Sequence, residues 1–362
     1  MNVRATERLH ELGQSLWLDN ITRSLLDSGQ LQTYIDDYSI TGLTSNPAIF
    51  DKAIASGAYD EAIQELAGAG EDREAIFFEL AIDDLRRAAD MFAPVHARTD
   101  GVDGWVSLEV SPLLAYDTES TVQAAKELHK EAARDNLFIK IPGTAEGIPA
   151  IEEATFAGVP VNVTLLFSPE QYLAAAEAYL RGIERRVDAG LNPSVASVAS
   201  VFMSRWDAAV LDQVPGELRD TLALAVGLKI YQAYRELLDS DRWEKAANAG
   251  ARAQRLLWAS TSTKDPKAPD DLYLHCLGAP FTVNTIPEAT LQAFFDHGHV
   301  GKAMPADGGS AEKTLAAHAA AGVDVPALAA KLQADGATNF VGNWHDLMSI
   351  IEKQSAALRA QG

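Results

Sequence analysis

Short apolar runs alternate along this chain with longer stretches whose apolar residues recur at helical spacing. The runs read as strands: SLWLDN (15–20), SITGLTSN (39–46), GWVSLEV (104–110), NLFIKIP (136–142), VPVNVTLLF (159–167), PSVASVASVF (193–202), RLLWAST (255–261) and APFTVNT (279–285). Between most of them lie helical patterns, clearest in STVQAAKELHKEAAR and PEQYLAAAEAYLRGIERRVDAG. Strands joined by helical crossovers require a parallel sheet, and eight of them predict an α/β fold, the (β/α)8 TIM barrel. A chain of 362 residues fits one such barrel. The segment 51–103, after the second strand, and the tail 303–362 read as helical additions, an insert and a C-terminal extension. No Gly/Ser linker isolates either, so residues 1–362 are expected to form a single domain.

The alternation within the strands carries more information. Successive side chains point to opposite faces. Leu16 and Leu18 oppose Trp17 and Asp19; Val106, Leu108 and Val110 oppose Ser107 and Glu109. Leu137, Ile139 and Ile141 oppose Phe138 and Lys140; Val161, Val163 and Leu165 oppose Asn162 and Thr164. Four strands thus present an aliphatic face to outer helices and a polar group near the C-terminal end of the other face. In a barrel that other face points inward, and the C-terminal rim is where barrel enzymes place their chemistry. Asp19, Glu109, Lys140 and Thr164 are therefore expected to converge.

Lys140 in the middle of NLFIKIPGT needs a reason, because a buried ammonium is costly unless it is paired or gives up its proton. Three readings compete: a lysine on an exposed sheet edge, a structural ion pair with Glu109, or a nucleophile. As a free amine, a lysine attacks a carbonyl to form a Schiff base, and the iminium then accepts the electron pair of a breaking C–C bond. Such chemistry needs proton carriers, for which Glu109 and Asp19 are the right type, while Thr164 is suited to holding a water. An edge lysine leaves the three matching polar groups on other strands unexplained.

The bulk composition removes other function classes. The net charge of −21 argues against nucleic acid as a partner, though a few local cations and N–H groups suffice for one phosphate. The single cysteine, Cys276, forms no intrachain disulfide and fits a reducing, cytoplasmic setting. The N-terminal stretch lacks the apolar core of a signal peptide, and no apolar run is long enough to span a bilayer. GTAEG (143–147) lacks the rest of a phosphate loop, and His297 and His299 lack further ligands at metal-binding spacing. Cys276 is expected to be a buried, reduced thiol, and Trp17, Trp206 and Trp258 are expected to pack, Trp17 also walling the site.

Several motifs together resemble the transaldolase family, particularly its longer bacterial form: GLTSNPAIF (42–50), VSLEVSP (106–112), LFIKIPGT (137–144), VNVTLLFS (161–168), SVFMSRWD (200–207), WASTSTKDP (258–266) and TVNTIPEATL (282–291). The resemblance implies Schiff-base transfer of a dihydroxyacetone unit from sedoheptulose 7-phosphate to glyceraldehyde 3-phosphate, in the non-oxidative pentose phosphate pathway, with no metal or cofactor. It implies that Lys140 is the Schiff-base lysine and Asp19 the carboxylate that takes and returns the substrate's hydroxyl proton. Glu109 and Thr164 match the pair that holds a water. Asn46 and Asn162, with Thr44 beside them, match groups that bind the donor's hydroxyls, and Ser200 and Arg205 match part of a phosphate site. One place departs from the family pattern: Ser262 stands where shorter members carry a second phosphate-binding Arg. Lys264, two residues on, is either its replacement or a solvated loop lysine. Two alternatives stay open, an aldolase that cleaves fructose 6-phosphate and releases dihydroxyacetone, and a noncatalytic sugar-phosphate-binding barrel. Oligomeric state is not legible in the sequence.

Overall fold

A computed structural model describes residues 4–359. Its strands are β1 (Gln14–Asp19), β2 (Ile40–Thr44), β3 (Val106–Glu109), β4 (Leu137–Pro142), β5 (Val161–Leu166), β6 (Ser197–Phe202), β7 (Gln254–Ala259) and β8 (Thr282–Ile286). They form one eight-stranded sheet in the order β2-β1-β8-β7-β6-β5-β4-β3, with each neighbouring pair parallel. The two ends of that order meet through a bridge between Gly42 and Trp105, where Leu43 N–H donates to Trp105 O at 2.9 Å. The sheet therefore closes, and the barrel expected from the alternation is the fold observed.

Each strand overlaps its predicted run, and the ends differ for local reasons. β6 starts at Ser197 rather than Pro193, which has no N–H to give a ladder. β7 stops at Ala259 because Ser260 turns into the left-handed region at φ 54°.

The inner face is layered. At the N-terminal end, the Arg255 guanidinium donates to Ser15 Oγ at 2.6 Å, Thr282 O at 2.9 Å, Val102 O at 2.9 Å and Asp103 Oδ1 at 3.2 Å, plugging the barrel floor. Above it Trp17 and Trp105 both stack on Phe138, with ring centroids 6.1 and 4.1 Å away. This aromatic layer lies between the Arg255 cluster and the polar C-terminal layer. Trp17, Trp206 and Trp258 are all fully buried, as expected of packing residues. Cys276 is only half-buried, because its five-residue helix Leu272–Cys276 lies at the surface end of the β7–β8 connection.

The segment after β2 folds as three helices, Pro47–Ala55, Asp60–Ala69 and Arg73–Arg98. The last, of 26 residues, packs on β2 and β3 and is the crossover between them, started by the Asp72 carboxylate accepting from the N–H groups of Glu74 and Ala75. The two short helices instead pack against the C-terminal helix Val325–Arg359, which also reaches β5. Among the described residues no single helix is long and apolar enough to cross a membrane.

Barrel closure depends on a missing side chain. A Cβ on Gly42 would lie 2.7 Å from Trp105 O and 2.8 Å from Trp17 Nε1. Gly42→Ala is predicted to destabilise the protein by about 1–3 kcal/mol through overpacking, read as a lowered midpoint in urea. An unchanged midpoint would show that the closing strands are not packed as described.

Candidate active site

Parallel register sets the site's geometry. Glu109 on β3 pairs with Lys140 on β4, and Lys140 pairs with Asn162 on β5, so the three inward side chains stand abreast. Lys140 Nζ donates to Glu109 Oε2 at 3.0 Å and to Ser45 O at 3.2 Å. Both ionic side chains are buried. Burial raises the Glu109 carboxyl above its ordinary range, and the positive charge of Lys140 opposes the rise. The carboxylate is thus better able to accept a proton than an exposed glutamate is. Removing one partner of such a pair strands a buried charge, at a cost of about 3–5 kcal/mol.

Asp19 faces the same space. Burial pushes its carboxyl up, while the charge of Lys140 and hydrogen bonds from Thr44 and Asn46 pull it down. Thr44, in register with Asp19, donates to Asp19 Oδ1 at 2.9 Å and shares a hydrogen bond of 2.7 Å with Thr285 Oγ1. Asn46 precedes the helix Pro47–Ala55 in its N-cap position, but its side chain caps no helical N–H and bonds Asp19 instead.

On the other side, Asn162 Nδ2 donates to Ser107 Oγ at 3.1 Å, and Ser200 Oγ donates to Asn162 Oδ1 at 2.7 Å. Ser200, grouped with Arg205 on the sequence, lies two residues beyond Val198, the β6 residue in register with Asn162, and its hydroxyl reaches back along the inner wall to that amide. Thr164 is fully buried and its hydroxyl has no protein hydrogen-bond partner.

Arg205 stands apart, on the short helix Ser204–Val210 that follows β6. Its guanidinium lies over the Phe202 ring, 4.9 Å from the centroid, and its Nη1 is buried with no hydrogen-bond partner. Burial lowers its pKa from the ordinary guanidinium value. Lys264 is exposed and donates to Ser262 Oγ at 2.8 Å; desolvation and then the charge of Arg205 lower its pKa. The two cations therefore lie near enough for the charge of Arg205 to bear on Lys264. An anion placed there meets two positive groups and the Ser262 hydroxyl.

The residues singled out on the sequence thus fall into two clusters: Asp19, Thr44, Asn46, Glu109, Lys140, Asn162, Thr164 and Ser200 at the inner wall, Arg205 and Lys264 at one edge. Ser45, Ser107 and Thr285 join the first cluster without having been assigned a part. The inward position of Ser107 was legible in the strand alternation. The use of a main-chain carbonyl, that of Ser45, leaves no mark in a sequence.

Comparison with known proteins agrees with this arrangement. The family described as Transaldolase/Fructose-6-phosphate aldolase matches residues 16–351. A protein named Transaldolase from Thermobifida fusca is 45% identical over 361 residues, covering 97% of this chain and 98% of that protein. One of the same name from Arthrobacter sp. is 43% identical over 364 residues, 98% of each chain. A protein named Transaldolase 2 from Nostoc punctiforme is 39% identical over 370 residues, 97% of each. A barrel with a buried lysine–carboxylate pair at its mouth, a family match over nearly its whole length and relatives of this identity place the chain in the transaldolase/fructose-6-phosphate aldolase family.

Proposed function

We propose that this chain is a transaldolase that moves a dihydroxyacetone unit from sedoheptulose 7-phosphate to glyceraldehyde 3-phosphate, giving erythrose 4-phosphate and fructose 6-phosphate. The observation that carries the reading is the buried contact of 3.0 Å between Lys140 Nζ and Glu109 Oε2, with Asp19 close enough to feel the lysine's charge.

Lys140 passes a proton to Glu109 and its free amine adds to the ketose carbonyl. Glu109 returns the proton to the carbinolamine oxygen, which leaves as water. The Thr164 hydroxyl, free of protein partners, holds with Glu109 the water that relays these protons. Asp19 then removes the proton of the hydroxyl next to the scissile bond. The C3–C4 bond breaks, its electron pair neutralises the iminium to an enamine, and erythrose 4-phosphate departs. The enamine attacks the aldehyde carbon of glyceraldehyde 3-phosphate, Asp19 gives its proton to the new alkoxide, and water releases fructose 6-phosphate from Lys140.

Thr44, Asn46 and Asn162 hold the donor's hydroxyls, with Ser200 fixing Asn162. Arg205 and Lys264 take the phosphate, Lys264 in place of the second Arg that shorter members carry. Residues 1–362 act as a single catalytic unit, and the lone cysteine suits a reducing cytoplasm.

Product analysis tests the reading. With fructose 6-phosphate as donor and erythrose 4-phosphate as acceptor, the reverse reaction predicts sedoheptulose 7-phosphate, and omitting the acceptor predicts only trace dihydroxyacetone. Steady release of dihydroxyacetone without acceptor would move the assignment to the aldolase branch of the family, and no reaction of either kind would leave a binding barrel.

The phosphate end has its own test. Arg205→Ala is predicted to raise KM for the phosphorylated donor roughly tenfold to a hundredfold, the range expected for losing charge-assisted bonds. Lys264→Ala should raise it by a smaller factor, and neither should change turnover of unphosphorylated fructose. Equal losses on both sugars would contradict a phosphate role.

A further inference from the structure

The strands bearing Lys140 and Thr164 do not end in an ordinary ladder. The β5–β6 register slips between Val163 and Leu166. Within that slip Leu165 takes φ 59°, a left-handed conformation that a residue with a branched side chain keeps only when its surroundings hold it. The Gly143 N–H donates to Thr164 O at 2.7 Å, tying the residue before the strained one to the end of β4. The carbonyls of Gly143 and Leu165 on either side both accept from a single amide, Gln333 Nε2, at 2.9 and 3.0 Å.

Gln333 belongs to the C-terminal helix Val325–Arg359, and one turn further along that helix stands Gly336. Glycine inside a helix weakens it and needs a packing or functional reason. Here the reason is close approach. A Cβ on Gly336 would lie 2.9 Å from Leu165 Cδ2 and 3.1 Å from Arg205 Nη1. One helix face therefore grips Leu165 twice, its carbonyl through Gln333 and its side chain through the notch at Gly336, and the same notch admits the phosphate-end guanidinium.

We propose that Gln333 is a positioning residue for the proton relay. By holding Leu165 in its left-handed turn, it fixes the backbone of Thr164 and so the direction of a buried hydroxyl that no protein hydrogen bond orients. This rests on the transfer reading above, since Thr164 matters only if a water is relayed to and from the Lys140 adduct.

Gln333→Met keeps the length of the side chain and removes both donors. The expected result is a kcat lower by about tenfold or more, an unchanged KM for donor and acceptor, and a larger solvent deuterium isotope effect as proton transfer becomes limiting. The decisive comparison is in a Thr164→Ala background. There Gln333→Met should cost nothing further, because the group it positions is gone; a merely structural role would subtract the same factor again. Wild-type kcat in Gln333→Met, or equal losses in both backgrounds, would overturn the proposal.

If Gln333→Met does not accumulate as folded protein, Gly336→Ala asks the same question while favouring the helix. It should lower kcat and raise KM for the phosphorylated donor together, by crowding Leu165 and Arg205 at once, and wild-type kinetics would overturn the proposal. A wild-type protein with no transfer activity would fail the functional reading itself, a result distinguishable from any change among variants.

Discussion

Two opposite charges share the inside of a barrel, with Lys140 Nζ at 3.0 Å from Glu109 and both side chains at most 8% exposed. Taking either ion out of water alone would cost several kcal/mol, and their mutual attraction offsets this only where geometry is good and the remaining hydrogen-bonding groups are met. The register that sets Glu109 beside Lys140 on neighbouring parallel strands supplies the geometry, and the Ser45 carbonyl meets a further ammonium proton. Burial raises the Glu109 carboxyl while the charge of Lys140 opposes the rise, so the carboxylate accepts a proton more readily than an exposed glutamate does.

The remaining architecture supports that pair from below and above. Beneath it lie the Trp17–Phe138–Trp105 stack and, lower still, the Arg255–Asp103 ion pair. Gly42 leaves the room that lets Trp17 lie there while β2 and β3 close the barrel. Above it, carboxylate, hydroxyl and amide side chains from six strands link into chains, Asp19–Thr44–Thr285 on one side and Ser107–Asn162–Ser200 on the other. Such chains lock rotamers before any substrate arrives, which is what oriented catalysis requires. The C-terminal helix then reaches over the rim, laying Gln333 and Gly336 against the ends of the strands that carry Lys140 and Thr164.

Much of this was legible before any coordinates. Period-two alternation assigned Lys140, Glu109, Asp19 and Thr164 to one inner face, because each strand has a single aliphatic side to give to helices. The strand runs survived because they are buried on both faces and bounded by turns. What escaped has a common physical cause: it depends on partners far along the chain or on backbone atoms. Ser200 reads as part of the phosphate motif by proximity to Arg205, yet its hydroxyl donates to Asn162 on the neighbouring strand. The long stretch after β2 reads as an insert, whereas its 26-residue helix Arg73–Arg98 is the crossover and only the two shorter helices are additions. Gln333 sits in an Ala-rich amphipathic stretch that gives no hint of contact with Leu165, 168 residues earlier.

The central claim is that Lys140 is the nucleophile, and borohydride trapping tests it most directly. The protein is incubated with fructose 6-phosphate, reduced, digested and mapped by mass spectrometry. The account predicts a single adduct with the mass of a reduced dihydroxyacetone unit, on Lys140 and nowhere else. A folded protein that traps nothing, or an adduct on Lys264 or another lysine, would contradict it.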